Sequence, residues 1–203
     1  DYCKVTIHSP AKTILSHDPM PDTQWFKAAT LNYAENIFQK MTPDRPIMLY
    51  KAEDMPIIEI SWHSIYKQVN QLATALRAMG VGKGDRVVNF MPNRPESIIA
   101  LLATASIGAI WSSCSPDFGA RSVLDRFTQI EPKILFAVDG YQYGGKTFDR
   151  RDVIAELQAN LPTLKQTILV PHIEASTSNL NQTSLWDDVL NNTNPPQNII
   201  FEP

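Results

Sequence analysis

The forty positions from Gly80 to Gly119 leave few arrangements open, because a turn, an apolar strand, a helix start and a second strand follow one another without a gap. Arg86 to Met91 (Arg-Val-Val-Asn-Phe-Met) is short, rich in β-branched and aromatic residues and bounded by Gly and Pro, the pattern of a buried strand. Pro92 ends it. Asn93 stands just before Pro95 and Glu96; proline suits a first helical turn, and an acid suits the positive end of the helix dipole. A helix therefore starts there. Its body, Ser97 to Ile107, is apolar almost all round, as in a helix buried between layers, and Gly108 releases the chain into a second strand through Ala109, Ile110 and Trp111. Strand, helix and strand at this spacing make a βαβ crossover with two parallel strands. The fold class is α/β: a layered, at least partly parallel sheet with flanking helices.

The rest of the chain extends that alternation. Residues 1–30, with Pro10, Pro19 and Pro21, suit an irregular N-terminal arm, and residues 31–203 a larger α/β body. Leu31, Ala34, Phe38 and Met41 recur at helical spacing behind Thr30 as cap, and Pro43 stops them. Pro46 to Ala52 and Pro56 to Trp62 read as a hairpin turning at Glu53-Asp54-Met55. Trp62, Ile65, Val69, Leu72, Leu76 and Met79 fall at spacings of three and four between a Ser61 cap and a Gly80 stop, the stripe of a helix laid on a sheet. Beyond Gly119, a helix through Val123, Leu124, Phe127 and Ile130 leads to a strand at Ile134 to Val138, closed by Asp139-Gly140. Asp149 can cap a helix through Val153, Ile154, Leu157 and Leu161; Thr167 to Val170 is a further strand; a short helix covers Leu185 to Leu190; and a last strand begins at Ile199.

A chain of 203 residues can bury a real core, and a net charge of −3 gives no electrostatic reason to expect nucleic acid. The longest nearly apolar run, Ile98 to Trp111, is interrupted by Thr104, Ser106 and Gly108 and falls short of the roughly 20 residues a membrane helix needs. Cys3 and Cys114 are the two cysteines; they lie far apart with no Cys or His at metal-ligand spacing, so reduced thiols, no metal site and a reducing compartment are expected. The opening residues lack the basic and apolar segments of a secretory signal, which adds the expectation of a cytoplasmic protein. Asn181 and Asn191 match glycosylation acceptors and read as surface loops.

The strongest formal motif is Gly140-Tyr-Gln-Tyr-Gly-Gly145-Lys146-Thr147, which satisfies G-x-x-x-x-G-K-[ST]. Three readings are open: a P-loop, whose glycine amides wrap phosphates while Lys and Thr reach the outer oxygens and magnesium; a plain glycine-rich surface loop; or a phosphate site of another kind. The P-loop needs a second acid at another strand end, and none of the strands at 86–91, 109–113 or 167–170 ends in Asp. Ligands of an open α/β sheet collect beyond the carboxyl ends of its parallel strands, where both this loop and Ser112 to Gly119 belong. Gly80-Val-Gly-Lys-Gly84 follows a helix and enters a strand, the reverse of a dinucleotide fingerprint. Ser112 to Ser115 lacks a nucleophile elbow, and His8, His17, His63 and His172 have no partner nearby in sequence, so no nucleophile is assigned. Besides the enzyme readings, a non-catalytic α/β interaction module fits the same elements.

Trp25-Phe-Lys-Ala-Ala-Thr-Leu-Asn-Tyr-Ala-Glu-Asn, Gly80-Val-Gly-Lys-Gly-Asp-Arg-Val, Met91-Pro-Asn-Arg-Pro-Glu, Gly108-Ala-Ile-Trp-Ser-Ser-Cys-Ser-Pro-Asp-Phe-Gly and Asp139-Gly-Tyr-Gln-Tyr-Gly-Gly-Lys together resemble the acetyl-CoA synthetase branch of the adenylate-forming enzymes. The strings at 111–119 and 139–146 resemble its acetoacetate-activating type. The resemblance implies an acid–thiol ligase that works in two steps. An acid attacks ATP to give an acyl-adenylate and pyrophosphate, and the CoA thiol then displaces AMP. ATP, Mg2+ and CoA are implied for the parent enzyme, with acetoacetate, ATP and CoA as small-molecule partners and no nucleic acid or membrane. It also implies an N-terminal piece. The family's phosphate loop, adenine and ribose motifs and C-terminal-domain lysine have no match, and all eight glycines fall at 80, 82, 84, 108, 119, 140, 144 and 145. No catalytic residue, and no tightly bound cofactor, is therefore expected in this chain alone. By the same resemblance, Tyr143 to Lys146 matches the place where acetyl-CoA synthetases present two basic residues to the 3′-phosphate of CoA. Lys146 supplies a point charge there, and Tyr143 a hydrogen bond in place of a charge. Ser115 to Phe118 stands near the family's pantetheine channel, with no contact residue carried over.

Overall fold

The computed structural model describes residues 4–53, 55–174 and 176–203. Its elements in chain order are β1 Thr13–Leu15, β2 Trp25–Lys27, α1 Tyr33–Phe38, β3 Met48–Tyr50, β4 Ile58–Ile60, α2 Trp62–Ala78, β5 Arg86–Phe90, α3 Pro95–Ser106, β6 Ile110–Cys114, α4 Ala120–Phe127, β7 Ile134–Val138, β8 Gly140–Tyr143, β9 Lys146–Asp149, α5 Arg151–Asn160, β10 Gln166–Val170, β11 Thr183–Leu185 and α6 Trp186–Asn191.

The crossover read from Gly80 to Gly119 is present: β5 and β6 pair in parallel, Arg86 opposite Ile110 through Phe90 opposite Cys114. They belong to a wholly parallel five-stranded sheet in the order β11-β10-β7-β5-β6. Val87, Ile134, Phe136, Val138, Ile168 and Val170 pack with α1, α2, α3 and α6; the alternate residues Val88, Phe90, Leu135, Ala137 and Leu169 pack with α4 and α5. Burial on both faces is why these strands read as unbroken apolar runs. Ser61 caps α2 by accepting from the Ser64 amide at 3.2 Å, and the stripe of Ile65, Val69, Leu72 and Leu76 is fully buried. Each of those side chains contributes about 1.5–3 kcal/mol through burial.

Several expectations are corrected. Asn32, not Thr30, caps α1: its Oδ1 accepts from the Glu35 amide at 3.2 Å, while Thr30 is held in a bridge to Ser9. That helix ends at Phe38, short of Met41. The N-terminal arm is not wholly irregular, since β1 and β2 form an antiparallel ladder in which Thr13 pairs with Lys27 and Leu15 with Trp25. β11 has no strand pattern of its own: Thr183, Ser184 and Leu185 are three residues, two of them polar, that pair in parallel with β10 at the sheet edge. Residues 199–203 form no strand; Ile199 is buried in the core instead, and the Glu202 amide donates to the Ser106 carbonyl at 2.8 Å. α3 is less enclosed than its composition suggests, with Ile98 38% exposed. Asn191 is the last residue of α6 rather than a loop residue. The β3–β4 hairpin forms as read, although Asp54 of its turn lies outside the described residues, as does Cys3.

Candidate functional site

The chain leaves β5 for β6 on one side and then returns across β5 to β7, β10 and β11 on the other, so strand order reverses between β5 and β7. Ligand sites of such sheets form at the carboxyl ends beside that reversal. Two charged residues organise this edge. Asp139, directly after β7, is fully buried and accepts from the amides of His172 at 2.7 Å, Ile173 at 3.0 and 3.1 Å, and Glu174 at 2.6 Å. A carboxylate answered by three consecutive amides fixes the segment after β10 against β7. Arg94, just before α3, grips Glu96 through two bonds of 3.1 Å and donates to His172 Nδ1 at 2.9 Å. Because a guanidinium only donates, that ring nitrogen carries no proton. Partial burial, then the neighbouring Arg94 cation, pulls His172 below its ordinary value.

From this anchored edge rises β8–β9, an antiparallel hairpin. Its residues are those of the formal P-loop motif, and the hairpin overturns that reading: Gly140 lies in β8, while Lys146 and Thr147 lie in β9 opposite Tyr143 and Gln142. A P-loop lysine opens a helix whose amide ends face the phosphate, whereas α5 starts at Arg151, with the Asp149 carboxylate accepting from the Arg151 amide at 2.9 Å. Arg150, not Asp149 as expected, holds the cap position, and Asp149 serves the helix start from one residue earlier. Gly144 (φ 57°) and Gly145 (φ 70°) make the turn, and the type I′ form of a two-residue hairpin needs positive φ at both central positions. Gly140 is required for a different reason: a Cβ there would come within 3.0 Å of Ile173 Cδ1, Ile173 Cγ1 and the Phe148 carbonyl oxygen. Tyr141 and Phe148 stack at 5.1 Å between centroids, and the Arg150 guanidinium lies 5.2 Å from the Tyr141 ring centre. The Arg150 amide donates to the Asp139 carbonyl at 2.7 Å.

The two residues expected to meet phosphate are brought together, since Tyr143 and Lys146 are the cross-strand pair that closes the turn. Opposed residues project to the same face of a ladder, and both are exposed. The turn also has a tenant that sequence reasoning missed. Glu53, from the β3–β4 turn, accepts from the Gly144 amide at 2.9 Å and the Gly145 amide at 3.1 Å. Those bonds, Gly144's foremost, hold its carboxyl below the usual value. Nothing in the sequence links positions 91 residues apart.

A cavity of about 510 Å³ opens at the carboxyl ends of β5 and β6, lined among others by Asn89, Asn93, Ser97, Trp111, Ser113 and Ser115. Among the described residues, Ser112, Ser113 and Ser115 make no side-chain hydrogen bond to a histidine or acid, and burial pushes the Cys114 thiol up, so none of these is an activated nucleophile. His8 does find a partner, Glu35 at 2.6 Å, far from this edge in sequence. A larger hollow of about 670 Å³ lies between the residues after α1 and the start of α2. No group of three or more His, Cys, Asp or Glu among the described residues is placed to hold a metal ion.

Residues 36–201 match the family model described as AMP-binding enzyme. The chain belongs to the AMP-binding enzyme family. Among similar members, the acetoacetyl-coenzyme A synthetase of Rhizobium meliloti (strain 1021) is 45% identical over 173 residues, which is 85% of this chain and 26% of that protein. The acetoacetyl-CoA synthetase of Macaca fascicularis is 43% identical over 154 residues, 75% of this chain and 23% of that protein. The solved acetoacetyl-CoA synthetase from Streptomyces lividans superposes with a TM-score of 0.90 at 45% identity, covering 99% of this chain and 31% of that one. The chain therefore spans about a quarter of the length of these AMP-binding relatives. Their names agree with the acetoacetate-activating resemblance carried by the strings at 111–119 and 139–146.

Proposed function

We propose that this chain is the N-terminal portion of an acetoacetate–CoA ligase that forms acetoacetyl-adenylate from acetoacetate and ATP and then transfers the acyl group to the CoA thiol. Residues 1–30 serve as its arm, and 31–203 as the first part of its large domain, ahead of the ATP phosphate loop and the C-terminal domain. The supporting observation is the run of identity to acetoacetyl-CoA synthetases across most of the chain, together with a superposition over nearly all of it. Acetoacetate activation places the enzyme in lipid and fatty acid metabolism, and the free, buried Cys114 suits the reducing cytoplasm.

Within that reaction the share of this chain is CoA binding. The exposed Lys146 ammonium neutralises the 3′-phosphate, and the Tyr143 hydroxyl, across the ladder, supplies a hydrogen bond. The anchoring of β8–β9 on Asp139 and Arg150 presents both from a fixed edge, so that less freedom is lost when the phosphate docks. Mg2+ would supply charge neutralisation to the phosphates of ATP, and no group of three or more His, Cys, Asp or Glu among the described residues is placed to hold it. The test is Lys146→Ala in the full-length protein. An exposed contact of about 1 kcal/mol predicts roughly a fivefold higher KM for CoA, with acetoacetate-dependent ATP–pyrophosphate exchange retained. Equal loss of both half-reactions refutes the assignment.

A further inference from the structure

The turn that carries the phosphate contact is already occupied by an anion from within the chain. Gly144 and Gly145 have no cross-strand partners, because the ladder closes at Tyr143 and Lys146, so their amides point away from the hairpin. Two adjacent outward amides form a concavity that favours negative charge. Glu53 fills it with both carboxylate oxygens, one on each amide. Its own turn belongs to a separate two-stranded sheet, so the contact ties two hairpins that share no strand.

We propose that Glu53 is a specificity-determining residue: an internal occupant of an anion seat at the β8–β9 turn that a phosphate monoester displaces when it docks beside Lys146. This rests on the reading of Tyr143 and Lys146 as a CoA 3′-phosphate contact, and adds to it the seat, its tenant and the rivalry between them. A carboxylate offers the seat one charge and two oxygens. A phosphate monoester near neutral pH carries close to two charges and three oxygens, and has Lys146 beside it. The ester therefore wins the seat, at a cost set by the contact it breaks. A ligand without the phosphate leaves Glu53 in place and gains nothing from the turn. Glu53 thus sets how strongly the protein distinguishes the phosphorylated ligand from its dephosphorylated form.

The experiment is calorimetric titration of the full-length protein with CoA and with dephospho-CoA, in the native sequence and in Glu53→Gln, Glu53→Ala and Lys146→Ala. Glutamine keeps the size of the side chain and can still accept one amide bond, but without charge. Displacement predicts that Glu53→Gln tightens CoA roughly three- to fivefold, Glu53→Ala at least as much, and that neither changes dephospho-CoA, so the preference widens by the same factor. If the native protein prefers CoA, Lys146→Ala removes the preference, and both Glu53 variants leave it unchanged or weaken the two ligands alike, Glu53 is only a tie between hairpins and the inference falls while the phosphate contact stands. If CoA and dephospho-CoA bind equally in the native protein and in all three variants, no phosphate reaches the turn, and the contact and the inference fall together.

Discussion

Gly140→Ala tests the placement of the hairpin most directly, because the added methyl has nowhere to go. It would lie within 3.0 Å of two Ile173 side-chain atoms and of the Phe148 carbonyl oxygen. Ile173 is 40% exposed and can rotate away. The carbonyl cannot, since Phe148 is the residue of β9 paired with Tyr141, next to Gly140. Overpacking of this kind costs about 1–3 kcal/mol, and the stiffer unfolded chain of an alanine variant offsets about 0.4–1 kcal/mol of it. The net loss is then about 1–2 kcal/mol, which in a chain of this size lowers Tm by about 2–8 °C. Gly82 is the control: a Cβ there meets nothing within 4 Å and φ is not positive, so Gly82→Ala should leave Tm unchanged or slightly higher. Adding Ile173→Ala to Gly140→Ala removes only the side-chain part of the clash, so any recovery is partial. Thermal unfolding of the three variants decides the matter. A Gly140→Ala protein as stable as Gly82→Ala would refute the packing of β8 against the segment after β10.

Two further predictions concern stability. Asn32, 2% exposed, donates through Nδ2 to the carbonyls of Ala105 at 2.9 Å, Ser106 at 3.1 Å and Glu202 at 2.7 Å. Asn32→Asp keeps the cap oxygen but sets a second carboxylate oxygen against three carbonyls, so urea denaturation should register a loss of about 3 kcal/mol or more, and a loss below about 1 kcal/mol would contradict the contact. For His172 the folded value lies below the ordinary 6.5, so the unfolded chain binds the proton more readily. Its contribution to stability is complete above 6.5 and is lost as pH falls through the folded value; denaturation midpoints at pH 7.5 and 5.5 should differ less in His172→Gln than in the native protein, and an equal difference would refute the Arg94–His172 arrangement.

What the sequence disclosed follows from which forces were local. The β5–α3–β6 crossover, α2 and β7 were legible because period, cap and breaker sit within each segment: Ser61, the stripe from Ile65 to Leu76 and Gly80 define α2 without reference to any other part of the chain. β11 was not, because Thr183, Ser184 and Leu185 are ordinary loop residues until the edge of β10 offers them a ladder. The cap of α1 was misplaced by two residues for a similar reason. Asn32 is selected as much by carbonyls at Ala105, Ser106 and Glu202 as by its own helix, while Thr30 is taken by Ser9. In the candidate site, Tyr143 and Lys146 were read from a resemblance to known ligases; the residues that position them were not. Asp139 registered only as the end of a strand, and the amides it binds belong to residues 172 to 174.

The G-x-x-x-x-G-K-[ST] string shows how one composition can serve two geometries. In a P-loop the glycines bend the chain so that the lysine opens a helix, and the aligned amides of that helix's first turn hold a polyphosphate. Here Tyr143 pairs with Lys146 and Gln142 with Thr147, so the strand pairing claims the motif before a helix can. The amides of Gly144 and Gly145, in the turn, lie outside the ladder, and Glu53 takes both. The attraction for an anion survives, but it is reduced from a helix end to two amide donors. Two donors match the two oxygens of one carboxylate, as Glu53 shows, where a P-loop needs a run of donors for several phosphate groups. The same residues that satisfy a nucleotide motif thus argue, through their pairing, against the geometry of a P-loop.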